Sequence, residues 1–176
     1  MTLITIRPFR LQVLDALTAL IETITPANGF QNDLSIDGRV IRGRLFIGDD
    51  EPVPMVAINE PPLAIEPNLA SVQNPSSTGD WDLLIQGWTE DDPKYPCDAT
   101  YVLAAEVRAV IARQKTRSSG RPGGGRGADL LGFGPVISDL RIGAPVVRPP
   151  DDTSAKACFY LLVTLKITED MTKPFG

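Results

Sequence analysis

Residues 81 to 113 constrain the fold more than any other stretch of this chain. Trp81-Asp-Leu-Leu-Ile-Gln-Gly-Trp88 has the apolar and aromatic content of a strand. Thr89-Glu-Asp-Asp-Pro93 breaks it with acids and a proline. Asp98, a residue suited to a helix N-cap, then opens a helix through Tyr101, Leu103, Val107, Val110 and Ile111. A strand leading into a long helix fixes a mixed sheet-and-helix body. No residue of the segment looks like a catalyst, so the best-formed part of the sequence reads as built for packing and assembly.

The clearest strand comes late, over residues 158–168. Phe159, Leu161, Val163, Leu165 and Ile167 share one face, and Tyr160, Leu162, Thr164 and Lys166 share a more polar one. Near the start, residues 8–25 predict a helix, with Pro8 in its first turn. Leu14, Leu17, Ile21 and Ile24 make one row, and Val13, Leu17, Leu20 and Ile24 a second beside it. That wide stripe suits a helix lying on a sheet. Pro26 and Asn28-Gly29 end it. Further strands are expected at 39–47, 55–60 and 136–142, with 63–79 a loop and 143–153 a connection.

The order is helix, three strands, helix, two strands. It predicts a single α+β domain over 1–176, with a mostly antiparallel sheet, hairpin-like strand pairs and both main helices packed on one face. The other face is expected to carry Arg42, Arg44, Tyr160, Thr164 and Lys166, and to meet solvent or a polar partner. Trp81 and Trp88 are seven apart, so they fall on opposite faces of a regular strand. One of them lies away from the helices, either as an interface residue or roofed by a loop.

Composition excludes several function classes. The chain has no histidine, so Ser-His-Asp and Cys-His nucleophiles are impossible within it. Its two cysteines, Cys97 and Cys158, lie far apart and make a poor start for a zinc site. We read them as plain thiols. The acids at 49–51, 90–92 and 151–152 sit beside prolines in turns, where carboxylates are solvated. The run at 49–51 lacks the alternating spacing of a calcium loop. The expectation is no enzyme, with no catalytic residue, metal or cofactor. No apolar run reaches the ~18 residues that span a bilayer. The first residues lack a signal peptide's basic start and cleavage site, which predicts folding in a cytoplasm.

The formal net charge of −5 hides an asymmetry. Arg108, Arg113, Lys115, Arg117, Arg121 and Arg126 fall in one stretch without an acid, which leaves 11 bases against 22 acids elsewhere. Such an acidic body does not bind nucleic acid broadly. Residues 117–127 are glycine-rich and predict a flexible loop. The loop has neither the Lys-Ser/Thr nor the preceding strand of a P-loop. Two readings stand: a solubilising linker, or an arm that orders against an acidic neighbour or nucleic acid.

Several phrases occur in a telling order. Pro26-Ala-Asn-Gly-Phe30 ends the first helix. Val40-Ile-Arg-Gly-Arg-Leu-Phe46 precedes an acid-and-proline turn, and Pro54-Met-Val-Ala-Ile-Asn-Glu-Pro61 follows. Then come the strand 81–89 with its acidic tail and the helix 98–114. Leu140-Arg-Ile-Gly-Ala-Pro-Val-Val-Arg-Pro-Pro150 and the strand 157–170 close the series. In this order and spacing the chain resembles the tail terminator (tail completion) proteins of long-tailed bacteriophages, related to minor tail protein U.

The resemblance covers most of the chain and implies an α+β subunit of a six-membered ring. The ring caps the head-proximal end of the tail tube, ends tube polymerisation and docks to the neck. It implies a homo-oligomer whose partners are the tail tube protein and a head-completion (neck) protein. DNA would pass through the lumen without specific binding. The protein would reside in the virion, at the head–tail junction, after assembly in the host cytoplasm. The family has no catalytic residues to carry over.

A lumen that bound phosphate strongly would retard sliding DNA, so the basic loop is expected to meet a protein. Candidate interface residues are Arg42, Arg44, Trp88, Glu90, Asp91, Asp92, Arg113, Arg117, Arg121 and Arg126. The acids after Trp88 are expected to meet the basic run of a neighbour. Two rival readings are another phage neck-adaptor, tail tube or baseplate component, and a nucleic-acid-binding module using residues 108–126.

Overall fold

The computed structural model describes residues 7–48, 50–61, 71–90, 92–119, 129–152 and 155–175, with backbone alone for 115–119. Its spine is a pair of long antiparallel strands, β3 (Ser76–Thr89) and β6 (Ala157–Asp170), in register from Ser76 opposite Asp170 to Thr89 opposite Ala157. Outside β3 lie β2 (Met55–Asn59) and then β1 (Val40–Arg42). Along the far side of β6 lie β4 (Ile137–Ile142) and, further along, β5 (Val146–Arg148). The helices α1 (Phe9–Ile21) and α2 (Asp98–Ser119) cover one face of this sheet. The α+β fold and the mostly antiparallel sheet agree with the sequence reading.

The alternation along β6 sorts its side chains as expected. Phe159, Leu161, Val163, Leu165 and Ile167 are buried beneath the helices. They meet Trp81, Leu83 and Ile85 of β3, with Phe9, Val13, Leu17 and Ile21 of α1 and Leu103, Val107, Val110 and Ile111 of α2. Burying such a continuous set of side chains is the main favourable term holding helices to sheet. At the end of β3, the hydroxyls of Thr89 and Thr100 share a buried hydrogen bond of 2.6 Å that ties the sheet to the first turn of α2.

Several boundaries differ from the sequence reading. Pro8 stands outside α1 as its N-cap, with its carbonyl accepting from the Gln12 N–H at 3.0 Å. The helix ends at Ile21, and residues 26–28 form a separate 3-10 turn capped by the Thr25 hydroxyl and closed by Gly29 at φ 84°. Ile24 is still buried, because the turn carries it back to the core. Asp98 is the first residue of α2. That helix runs five residues beyond the expected 114, so the glycine-rich stretch read as starting at 117 begins inside it. Residues 120–128 lie outside the described residues.

The sheet also departs in detail. β1 and β2 are parallel, so they form no hairpin. β1 stops at Arg42 because Gly43, at φ 73°, turns the chain away while its N–H still reaches the Ile58 carbonyl. β3 starts at Ser76, within the stretch read as loop, because the far end of β6 pairs with it there. β5 lies in the stretch read as a connection.

Candidate interaction surfaces

The face of the sheet away from the helices is divided in two. Over one half, residues 43–48 and 50–53 cross the sheet. Trp88 is 1% exposed there and clusters with Ala57 and Cys158 beneath Ile41, Ile47, Val53 and Tyr160. The loop is pinned at several points. Asn59 Nδ2 donates to the Arg44 carbonyl at 2.9 Å, Arg44 pairs with Glu51 at 2.5 Å, and Lys156 Nζ donates to the Glu51 carbonyl at 2.7 Å. A cavity of about 80 Å³ remains between Leu45, Phe46 and Ile47 above and Gln86, Trp88 and Cys158 below. Of the two readings for the second tryptophan, the structure adopts the loop roof. The residue presented outward is Phe46, 66% exposed.

Burial pushes the Cys158 thiol above its ordinary range, against a hydrogen bond with Tyr160 that lowers it. The same burial raises Tyr160. A thiol held protonated in this way is a poor nucleophile. Cys97 and Cys158 are both free.

The other half of this face is polar and open. Asp80, Lys166 and Asp139 lie in register across three strands, as do Asp82, Thr164 and Arg141. The Thr164 hydroxyl donates to Asp82 at 2.5 Å, and Arg141 pairs with Asp80. Thr164 and Lys166 therefore lie where the sequence placed them. Arg42 does not. Val40 and Arg42 point to the helix side, where Arg42 pairs with Asp15 of α1 at 2.6 Å, and Ile41 points to the Trp88 side. Burial raises the Asp15 carboxyl, but hydrogen bonds from Arg42 and Arg7 outweigh it and hold the group below the usual carboxylate range. Arg44 lies past the end of the strand, in the loop.

The remaining candidates are scattered. Glu90 is exposed and faces Lys156 at 3.7 Å. The Asp92 carboxylate accepts the N–H groups of Lys94 and Tyr95 at 2.7 and 2.9 Å, which shapes the turn into α2. Asp91, Arg121 and Arg126 lie outside the described residues, as does the side chain of Arg117. The Arg113 guanidinium lies 4.9 Å over the Phe30 ring of its own chain. Two turns earlier on the helix, buried Glu106 accepts from the backbone N–H groups of Gln31 and Asn32 and, at 2.7 Å, from Asn32 Nδ2. These contacts fasten the 30–32 segment to α2.

A surface that sequence reasoning passed over lies on the outer side of α2. Tyr101, Ala105, Arg108, Ala109 and Ala112, with Pro145, line an almost wholly apolar groove of about 350 Å³. Tyr101, read as part of the helix's apolar run, points outward and is 59% exposed. The signal was present as a second helical row, at 101, 105, 108 and 112, opposite the core row. A larger cleft of about 880 Å³ lies between the start of α1 and the end of β6, walled by Phe9, Phe133, Val136 and Met171. The C-terminal segment folds back beside this cleft. Phe9 N–H donates to the Pro174 carbonyl at 2.9 Å, and Gln12 Nε2 to that of Phe175 at 3.0 Å.

Among the described residues, no group of three or more Cys, Asp or Glu side chains is placed to hold a metal ion. No helix among them is long and apolar enough to cross a membrane. No protein family model matches the chain, and no curated protein matches its sequence.

Proposed function

We propose that this chain is a virion structural protein, a ring-forming tail terminator. It caps the head-proximal end of a phage tail tube, ends tube polymerisation and offers the docking surface for the neck. The observation that carries this reading is the placement of its exposed apolar surface. One patch is the outer groove of α2, on the helix side of the sheet. Another is Leu45 and Phe46, 40% and 66% exposed on the opposite side. Different patches on opposite sides of one subunit suit heterologous contacts, which generate rings when the rotation closes. The order of elements and the sequence phrases supply the particular kind of ring.

The partners on this reading are further copies of the chain, the tail tube protein and a neck protein, with DNA passing through the lumen without specific binding. The test is loss of the gene in its phage. The expected result is tails of uncontrolled length that fail to join heads. Tails of normal length would overturn the terminator reading in favour of a neck adaptor. Purified protein should also bind tail tube ends, seen by negative-stain imaging as a cap.

A further inference from the structure

We infer that Phe46 of one subunit seats in the α2 groove of the next, so that the 43–53 loop and the outer face of α2 form one head-to-tail contact. The inference rests on the ring reading for its occupant, a second copy of this chain.

Three observations meet in it. The first is shape. Phe46 is a single aromatic side chain held out on a pinned loop, and the groove of about 350 Å³ has room for such a ring. An aromatic anchor entering an apolar pocket is the usual centre of a stable interface.

The second is placement. Phe46 lies over Gln86, Trp88 and Tyr160 on one side of the sheet, and α2 covers the other side. A chain therefore cannot bring its own Phe46 to its own groove.

The third is charge. Arg108 lines the groove and begins the basic run of the sequence, while Asp50 follows Phe46 on the same loop and is exposed. Opposite charge around an apolar centre fixes orientation and rejects the reversed pairing.

The test uses the full chain in sedimentation velocity. Phe46→Ser removes the knob, and Ala109→Glu blocks the groove; both positions lie outside the core clusters, so thermal melts should stay near wild type. Each variant alone should weaken self-association by about tenfold or more. Mixed together they should form a one-to-one dimer and stop there, because only one intact contact exists between them. Asp50→Lys should weaken assembly, and Arg108→Glu in the same chain should restore it.

If both apolar variants assemble as wild type does, the contact is wrong while the ring reading stands. A wild-type chain that stays monomeric on the order of 1 mM also overturns the contact. In either case the binding of wild-type protein to tube ends decides the ring reading separately.

Discussion

Phe159 lies across Gly87 on the neighbouring strand, and its ring fills the space that any side chain at 87 would take. Both residues sit in the spine of the sheet, and Phe159 is fully buried. The glycine is therefore a packing requirement: Gly87 carries no left-handed backbone, and only the absence of a Cβ admits the ring.

Gly87→Ala should destabilise the protein by about 1–3 kcal/mol through overpacking. Chemical denaturation should find a lower midpoint with an unchanged slope. Adding Phe159→Leu should recover part of the loss, since the smaller side chain clears the new methyl group. Equal stability of Gly87→Ala and wild type would mean that the ring moves aside freely.

Trp88→Ala should cost about 3–5 kcal/mol, the range for a large buried aromatic. It should also release the loop above it, so that limited proteolysis cuts within residues 43–53 at concentrations that spare wild type. A surface tryptophan in an interface would leave monomer stability almost untouched, and that outcome would contradict the roofed position.

Glu106→Gln should cost about 1–3 kcal/mol, because the new amide turns a donor toward N–H groups that need an acceptor. Hydrogen exchange should localise the effect, with the Gln31 and Asn32 amides exchanging faster and those of β6 unchanged. Uniform loss of protection would point to global destabilisation instead of a local fastening.

Asp15 supplies a pH dependence. Its folded pKa lies below its ordinary value, so its contribution to stability is present above the unfolded value, near about 3.9. That contribution is lost as pH falls through the folded value. The Asp15 side chain is 35% exposed, so solvent screening keeps the pair with Arg42 below about 1 kcal/mol. Arg42→Ala should lower stability by that small amount at pH 7, and the gap to wild type should close in acid. A gap that persists at pH about 2 would assign the effect to packing of the arginine stem.

The parts of the fold legible in the sequence are those with strict periodicity. The alternation from Phe159 to Ile167 set both faces of β6, and the rows of Val13, Leu17 and Ile21 set α1 on the sheet. β5 escaped because its three residues lie between Pro145 and Pro149 and two of them are exposed, so no alternation develops. β1 was drawn too long because Arg42 and Arg44 alternate with Ile41 and Leu45 straight through Gly43. The sign of a glycine φ is not written in such a pattern.

The candidate surfaces were less legible than the fold. The cover over Trp88 depends on the parallel pairing of β1 with β2, a long-range feature that carries the following loop across the sheet. The outer row of α2 is built mostly from alanines, which periodicity counts as weakly apolar, while its Tyr101 was absorbed into the core row. Arg42 changed sides because a single alternation step decides which face a residue takes.

The pairing of β3 with β6 has a consequence for synthesis. When a ribosome has delivered the chain through Arg148, both main helices and five of the six described strands have been made, yet β3 still lacks its fourteen-residue partner. Neither helix has a finished surface to settle on, and the nascent chain must keep Trp81, Leu83 and Ile85 from competing associations until β6 arrives. Late closure of this kind makes folding of this domain an almost all-or-none event that waits on β6.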